Sequence, residues 1–377
     1  MKRLQELLDR LVEEKTGVGA SLLIYEDGKE AFFGSAGHMD LAGKEPFRRD
    51  AILAMYSMTK PVVSAAAMTL FEKGIITPEM PVYELIPEFR DVQVLREDGT
   101  LSAPKTPLTI EHLLTMTSGI TTPREGMDVT PYFQEQVAKH IGKGPISTLD
   151  IARIFAHVPL VFEPGAQYMY GLSVEVLGGI IVAATGMELG EYLDRTIFGP
   201  LGMEDSFFAV PEEKNQRVAE LYDVNDAGEF IIRPKHTVLY EPLDLSRAER
   251  GSGGLYSTLD DYIRFGEMLR KGGEGVLKPE TICEMSRNHL TPAQLETFGE
   301  SANGYGYGWL VRTMMQPEKS AAPEGLGAFG WNGMAGTTLR IDPARKLTVV
   351  FGIQRIPARS DLYHPELLKA LYEIWPC

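Results

Sequence analysis

The sequence has few cysteines, no long apolar segment and no excess of positive charge. Its two cysteines, Cys283 and Cys377, supply neither a disulfide framework nor the paired spacing of a zinc site. We find no apolar run of about 18 residues, which a membrane-spanning helix needs. Acidic residues outnumber basic ones by 52 to 37, so the formal net charge of −15 gives no support for binding nucleic acid or anionic lipid. We therefore expect that the protein neither binds nucleic acid nor associates with a membrane.

The first residues of the chain and the spacing of its histidines bear on the location of the protein and on its need for a metal. The first residues, MKRLQELLDRLVEEKTG, carry charges throughout and lack the continuous apolar core of a signal peptide, so we expect a cytoplasmic protein. The 7 histidines are scattered without an H-x-x-x-H spacing, and no glycine-rich phosphate loop occurs. The sequence therefore predicts a globular protein that needs no metal or cofactor, and it leaves the oligomeric state open.

Hydrophobic periodicity indicates helices and strands at both ends of the chain. Leucines between residues 4 and 11 fall at helical spacing, and the two apolar runs that follow meet at Asp27-Gly28, a strong hairpin signal. Near the other end, GYGYGWLVRT, GTTLRIDP and KLTVVFGIQ alternate like strands, and PELLKALYEIW reads as a helix. Between about Ser57 and Asp244 the patterns are mostly helical.

This order of elements predicts how the two ends of the chain relate. A helix and hairpin at the start, with strands and a helix at the end, indicate that both ends contribute to one sheet. We therefore predict an α/β (α+β) fold in which residues 1–56 and 245–377 form an antiparallel sheet flanked by helices. Residues 57–244 would form an inserted, mostly helical domain, and the groove between the two domains would hold the active site.

A candidate nucleophile lies in the segment MYSMTKPVVSAAAMTLFEKG. If a helix begins there, Ser57 and Lys60 lie three residues apart on one face, one turn from each other. A serine hydroxyl needs a neighbouring base, and an amine serves as one where burial or nearby cations disfavour its charged form. The free N–H groups at a helix start also suit a developing oxyanion. Alone the spacing is weak, because Ser102 and Lys105 repeat it, and a helix-capping serine before a surface lysine explains it equally well.

Three further stretches resemble, in the same order, motifs of the serine beta-lactamase and penicillin-recognising superfamily. EPGAQYMYGLSVEVLGGII resembles its P-G-x-x-F-x-Y-S-N region, PLGMEDSFF its P-L-G-M-x-D-T-x-F segment, and GGLYSTLDDYIRFGEML its G-G-L-x-S-T-x-x-D-x-x-R-F helix. The stretches SMTKP and HLLTMTSG fit the same order. Over most of its length the chain thus resembles the branch that holds class C beta-lactamases, D-amino-acid peptidases and family VIII carboxylesterases, and it is most similar to the last of these.

The resemblance implies catalytic roles for three residues. Ser57 corresponds to the nucleophile, Lys60 to its base partner and Tyr170 to the tyrosine of the second motif. A phenolate beside Lys60 can accept the serine proton, and the phenol can return that proton to the leaving group. For Tyr170 taken alone, a core tyrosine with a satisfied hydroxyl is the alternative.

The third motif of the family, K-T-G or H-x-G on a late strand, corresponds to Trp331-Asn332-Gly333 within FGWNGMAGTTLRIDP. The resemblance implies that these residues bind substrate, and Gly333 would let the substrate lie close to the strand backbone. The backbone N–H groups of Ser57 and Met334 are the implied oxyanion donors.

Two departures from the family pattern bear on the substrate. Leu172 stands where the family often has asparagine, and Trp331 replaces a lysine or histidine that would help to hold a substrate carboxylate. Tryptophan offers apolar area and one N–H donor and cannot pair with an anion. A tryptophan at this place resembles the family VIII esterases, which favours a neutral acyl ester over a carboxylated lactam. Ordinary packing at a sheet edge is the alternative for Trp331.

Together these observations predict a serine hydrolase that forms an acyl-enzyme and acts as a carboxylesterase or transesterase on small acyl esters or amides. A beta-lactamase or a D-amino-acid peptidase or amidase is the first alternative, and a catalytically idle, ligand-binding family member is the second. The joint presence of Ser57, Lys60 and Tyr170 favours an enzyme, because a pure binder need not keep all three. An α/β-hydrolase is disfavoured because the string nearest to its G-x-S-x-G motif, GLSVE, lacks the final glycine.

Overall fold

The computed structural model describes residues 1–123, 128–233, 243–320 and 324–376, and Cys377 lies outside these ranges. The α-helices are Lys2–Glu13 (α1), Thr59–Glu72 (α2), Ile110–Leu114 (α3), Thr130–His140 (α4), Thr148–Ala156 (α5), Ser173–Thr185 (α6), Leu189–Leu193 (α7), Gly199–Leu201 (α8), Leu259–Arg270 (α9), Pro279–Ser286 (α10), Pro292–Thr297 (α11) and Ser360–Ile374 (α12). The strands are Gly19–Glu26 (β1), Lys29–Gly37 (β2), Leu53–Ala54 (β3), Val94–Leu95 (β4), Leu101–Ser102 (β5), Tyr222–Val224 (β6), Phe230–Ile232 (β7), Tyr256–Ser257 (β8), Tyr305–Tyr307 (β9), Arg312–Met314 (β10), Phe329–Asn332 (β11), Thr338–Asp342 (β12), Leu347–Ile353 (β13) and Arg355–Ile356 (β14).

A sheet of 7 antiparallel strands joins the two ends of the chain, in the order β2-β1-β13-β12-β11-β10-β9. Leu22 at the middle of β1 lies opposite Gly34 of β2 on one side and Phe351 of β13 on the other. The β1–β2 hairpin turns at Asp27 and Gly28, whose φ angles of 48° and 82° are those that a two-residue hairpin loop requires. The predicted fold, an antiparallel sheet built from both ends of the chain and flanked by helices, is confirmed.

Helices cover both faces of this sheet. On one face, the leucine stripe of α1 packs together with Leu22 and Phe351 of the sheet and with Leu371 of α12. On the other face lies α9, whose Gly266 passes so close to β13 that an added Cβ would meet Thr348 Cγ2 at 2.6 Å. Because side chains alternate along a strand, each central strand is buried on both sides.

The part of the chain between the outer segments of the sheet is mostly helical. Helix α2 is buried along most of its length, and α6 packs so closely on α5 that a Cβ on Gly179 would lie 2.3 Å from Ala152 Cβ. Within the described residues, no single helix is long and apolar enough to cross a membrane; Ser173–Thr185 and Leu189–Leu201 pass that test only as a pair, which is bent by 76°. The domain limits 57 and 244 stay a prediction.

One predicted element differs from the structure. The stretch GYGYGWLVRT was expected as one strand, but it forms β9 and β10, which pair antiparallel across a tight turn. Leu310 in that turn has a φ of 62°, and Gly308 lies so close to Met285 that a Cβ would meet its carbonyl oxygen at 2.1 Å. Tertiary packing at this glycine therefore reverses the chain, although the alternation of residue types in the sequence predicts that the strand continues.

Candidate active site

Ser57 lies in a single 3₁₀ turn, Tyr56–Met58, immediately before α2. Tyr56 enters the turn with a φ of 48°, a left-handed conformation that is unfavourable for a bulky residue. Thr59 holds the turn, because its hydroxyl donates to the Tyr56 carbonyl at 2.7 Å and accepts the Leu255 N–H at 3.0 Å. The fold thus fixes Ser57, partly buried, at the N-terminal end of α2.

Lys60 lies in the first turn of α2 and is almost fully buried, with 2% of its surface exposed. Its ammonium donates one hydrogen bond to Ser57 Oγ at 3.0 Å and another to the Ser252 carbonyl at 2.6 Å. The same ammonium lies 4.9 Å from the ring centroid of Tyr170. Lys60 is therefore aimed at the candidate nucleophile and is not available to pair with an anion at the surface.

Tyr170 reaches Ser57 from the loop before α6. This loop passes so close to Ile120 that a Cβ on Gly171 would meet the Ile120 carbonyl oxygen at 2.3 Å. The Tyr170 hydroxyl donates to Ser57 Oγ at 2.7 Å, and Trp331 Nε1 donates to the Tyr170 hydroxyl at 3.4 Å. The side chain is 42% exposed, so the phenol faces open space while its oxygen contacts the other site residues.

The surroundings of the Tyr170 oxygen favour its ionised form. Desolvation opposes ionisation, but the charge of Lys60 and the hydrogen bonds at the phenol outweigh it, so the pKa of Tyr170 lies below its ordinary value of 10.0. At two neighbours burial is the dominant effect, and it raises the pKa of both Tyr168 and Tyr307 well above 10.0. Of these three tyrosines, Tyr170 is therefore the one suited to accept a proton.

The structure places the side chains of Trp331 and Asn332 on opposite faces of β11. Trp331 packs against Tyr170 with ring centroids 5.6 Å apart and meets the Tyr307 ring edge-on at 5.3 Å. Asn332 points the other way, where its Oδ1 accepts a hydrogen bond from Arg340 at 3.2 Å. Trp331 thus joins Ser57, Lys60 and Tyr170. Among the described residues no hydrogen bond links the Asn332 side chain to these three, and the role of Asn332 in substrate binding stays a prediction.

The turn after β11 lies beside the nucleophile turn. A Cβ on Gly333 would lie 2.5 Å from the Met55 carbonyl oxygen and 2.1 Å from Thr337 Oγ1, so only glycine allows this approach. Within the described part of the chain, neither the Ser57 nor the Met334 backbone N–H donates a hydrogen bond to the protein. Both N–H groups therefore remain available for an oxyanion, which is the role predicted for them.

The sequence assigns no role to two residues that neighbour the site. Ser252 binds Lys60 through its backbone carbonyl, and the only signal for it is that the G-G-L motif begins at the next residue. Tyr307, fully buried, packs edge-on against Trp331, Tyr168 and Phe298 and forms an aromatic wall behind the site. Across the four described ranges, no group of three His, Cys, Asp or Glu side chains is arranged to hold a metal ion.

Comparison with known proteins places these features in a family context. A family model described as Beta-lactamase matches residues 4–371. An uncharacterized protein of Mycobacterium tuberculosis is 33% identical over 361 residues, which cover 91% of this chain and 87% of that protein. Esterase EstB of Burkholderia gladioli is 29% identical over 362 residues, which cover 92% of this chain and 88% of that esterase. Among solved structures, EstCE1, a hydrolase with promiscuous acyltransferase activity, is 24% identical and covers 98% of both chains with a TM-score of 0.83.

Proposed function

The chain belongs to the beta-lactamase family, and from that premise we propose that it is a serine hydrolase, a carboxylesterase or transesterase that forms an acyl-enzyme on small acyl esters. One observation carries the proposal: Lys60 Nζ and the Tyr170 hydroxyl lie 3.0 Å and 2.7 Å from the same atom, Ser57 Oγ. The similarity to an esterase over nearly the whole chain supports the same reaction class.

In the acylation step, Tyr170 acts as the base and Lys60 as its electrostatic support. The Tyr170 phenolate takes the proton of Ser57 Oγ as this oxygen attacks the ester carbonyl carbon, and the carbonyl electron pair moves onto its oxygen. The N–H groups of Ser57 and Met334 stabilise that oxyanion. When the tetrahedral intermediate collapses, the bond to the alkoxide breaks, Tyr170 returns the proton to the leaving alcohol, and the acyl group stays on Ser57.

Deacylation repeats these roles with a second oxygen nucleophile. A water molecule or another alcohol gives its proton to Tyr170 and attacks the acyl carbonyl, and Ser57 leaves and regains the proton. Water yields a carboxylic acid, so the net reaction is hydrolysis; an alcohol yields a new ester, so it is transesterification. The two steps use groups of this chain, the ester substrate and the second oxygen nucleophile.

The chemistry around the catalytic oxygen favours a neutral substrate. Trp331 presents an apolar ring and an N–H that is already directed to the Tyr170 hydroxyl. Lys60 is buried and bonded to Ser57 and Ser252, so it does not supply a carboxylate-binding cation. We therefore assign small acyl esters as the substrate class and a small molecule as the partner. The cytoplasmic location stays a prediction.

The alternatives use the same site in different ways. A beta-lactamase or a D-amino-acid peptidase or amidase would acylate Ser57 through the same three side chains, and it would need another group to hold the substrate carboxylate. A catalytically idle member would bind a ligand without acylation. The hydrogen bonds that both Tyr170 and Lys60 direct at Ser57 favour a reactive serine over such a binder.

Intact-mass spectrometry after treatment with a fluorophosphonate, with a penicillin in parallel, tests the proposal. The native protein should gain one phosphonyl group and Ser57→Ala none. Ser102→Ala is the matched control, because Ser102 stands in the second S-x-x-K sequence, is exposed on β5 and should leave labelling intact. A stable penicillin adduct would favour the lactam or peptidase alternative. Absence of any adduct on the native protein would favour the ligand binder and contradict the proposal.

A further inference from the structure

A tight turn formed by residues 250–255, here named the bracing turn, lies between α6 and the nucleophile. It closes on itself because the Gly254 N–H donates to the Arg250 carbonyl at 2.8 Å. On its outer side, a Cβ on Gly251 would lie 2.5 Å from the Val174 carbonyl oxygen of α6. The bracing turn is thus packed directly against the start of α6, and small residues make that approach possible.

On its inner side, the bracing turn contacts Lys60 and two residues that flank Ser57. The Ser252 carbonyl accepts the Lys60 ammonium at 2.6 Å. The Leu255 carbonyl accepts the Met55 N–H at 2.9 Å, and the Leu255 N–H donates to Thr59 Oγ1 at 3.0 Å. These two hydrogen bonds lie on either side of the turn that carries Ser57. A shift of the bracing turn would therefore displace the ammonium from the nucleophile.

An ion pair between a partly exposed arginine and a buried glutamate joins the bracing turn to α6. Arg250 Nε lies 3.4 Å from Glu175 Oε1, and the side chain of Glu175 is fully buried. Glu175 lies in the first turn of α6, where the helix dipole favours a carboxylate. A buried carboxylate that loses its guanidinium partner is strongly unfavourable, so the pair fixes the separation of the two elements.

We propose that the Glu175–Arg250 ion pair is a positioning device for Lys60. It holds the bracing turn, the turn holds the Ser252 carbonyl, and that carbonyl keeps the ammonium on Ser57 and beside the Tyr170 ring. This inference rests on the proposed function. The hydrogen bond of Arg250 to Glu175 joins the turn to α6, and the turn reaches Lys60 through the Ser252 carbonyl, so the pair acts through the backbone of the turn.

The proposal has a consequence for proton transfer. The Ser252 carbonyl, at 2.6 Å from Lys60 Nζ, holds the ammonium in place, and the charge of Lys60 favours the Tyr170 phenolate. A displaced carbonyl weakens the support, so Tyr170 would lose its proton only at a higher pH. Other titratable or charged groups that face this region are Tyr56, Tyr256, Arg233 and Asp223 near the turn, and Tyr168 and Tyr307 beside Tyr170.

Steady-state kinetics with a neutral p-nitrophenyl ester over a range of pH test the device. Glu175→Gln keeps the shape and removes the charge; we expect kcat to fall roughly 10- to 100-fold, because a small misplacement of a catalytic group has such an effect. KM should change by less than about threefold, and the acidic limb of the kcat profile should move to higher pH. Arg250→Lys keeps the cation and should retain the native limb. Glu88→Gln is the matched control, since it removes the Arg153–Glu88 pair, at 3.0 Å, on the surface.

Two results would overturn the proposal. One is that Glu175→Gln lowers kcat at every pH without shifting the acidic limb of the kcat profile. The other is that Arg250→Lys shifts this acidic limb as much as Glu175→Gln does. If Glu175→Gln does not fold, Arg250→Met and Arg250→Lys are compared instead. An acidic limb that shifts only in Arg250→Met supports the positioning role of the ion pair. Acidic limbs at the same pH in both variants contradict it. Ser57→Ala separates the two proposals. If it matches native turnover, the proposed function fails; if it is inactive while the variants of the pair keep the native profile, only the positioning role fails.

Discussion

Removal of the Tyr170 hydroxyl separates a proton relay from simple packing. Tyr170→Phe deletes one oxygen atom and keeps the ring that packs 5.6 Å from Trp331. Ser57 Oγ then loses its partner at 2.7 Å and keeps its hydrogen bond to Lys60 at 3.0 Å. The Trp331 N–H loses its acceptor as well. The perturbation is therefore confined to one atom, which hydrogen-bonds to two other site residues, Ser57 and Trp331.

The size of the effect follows from the role of that atom. A positioned general base contributes about 10²–10⁴-fold, so we expect acylation by a p-nitrophenyl ester to slow by that factor. This corresponds to about 3–5 kcal/mol of activation free energy. KM should change little, because the ring remains in place. The free energy of unfolding should fall by at most about 3 kcal/mol, the usual upper contribution of two hydrogen bonds.

Stopped-flow measurement of the p-nitrophenol burst gives the acylation rate directly. Tyr168→Phe is the matched control: it makes the same change in the same loop, on a ring that packs against Phe298 and Tyr307. We expect the control to keep its rate within about threefold, as a substitution outside the relay should. A Tyr170→Phe variant that is as fast as the native protein, or a control that is equally slow, would refute the relay.

Three other expectations concern pH, substrate charge and backbone approach. Because the phenolate is the base and the pKa of Tyr170 lies below 10.0, kcat/KM for a neutral ester should rise with pH through that pKa; a flat profile would contradict this assignment. Trp331→Lys adds a cation beside Tyr170, so turnover of a carboxylated lactam relative to a neutral ester should increase, about tenfold for each 1.4 kcal/mol gained; an unchanged ratio would count against the neutral pocket. Gly333→Ala forces a Cβ to 2.1 Å from Thr337 Oγ1, so the free energy of unfolding should fall by about 1–3 kcal/mol and acylation should slow; native-like thermal melting and burst rates would show that the turn adapts.

The sequence predicts those parts of the site that are local or belong to an ordered motif. Ser57 and Lys60 could be identified as a candidate pair from the sequence, because a three-residue spacing at the start of a helix is a local geometric relation. Tyr170 lies 113 residues from Ser57, and only its place within an ordered series of motifs identified it. The antiparallel sheet was predictable because both ends of the chain carry strand and helix patterns, and the structure confirms it.

Other features depend on tertiary contacts that no residue pattern encodes. The partner of Lys60 at Ser252 is a backbone oxygen 192 residues away, and any residue type supplies such an atom. The separate directions of Trp331 and Asn332 were readable in principle, because adjacent residues of a strand face opposite sides. The left-handed conformation of Tyr56 had no signal, since non-glycine residues adopt it only where surrounding structure enforces it.

The pairing of β1 with β13 has a consequence for synthesis of the protein on the ribosome. Residues 19–26 leave the ribosome long before residues 347–353, so the hairpin of β1 and β2 must wait for its neighbour. At 5–20 residues per second the delay is roughly 15–65 seconds, during which an apolar strand presents an open edge. The Met334 amide is translated almost as late. We therefore expect nascent chains to be prone to association and unable to acylate until residues 334–353 have left the ribosome.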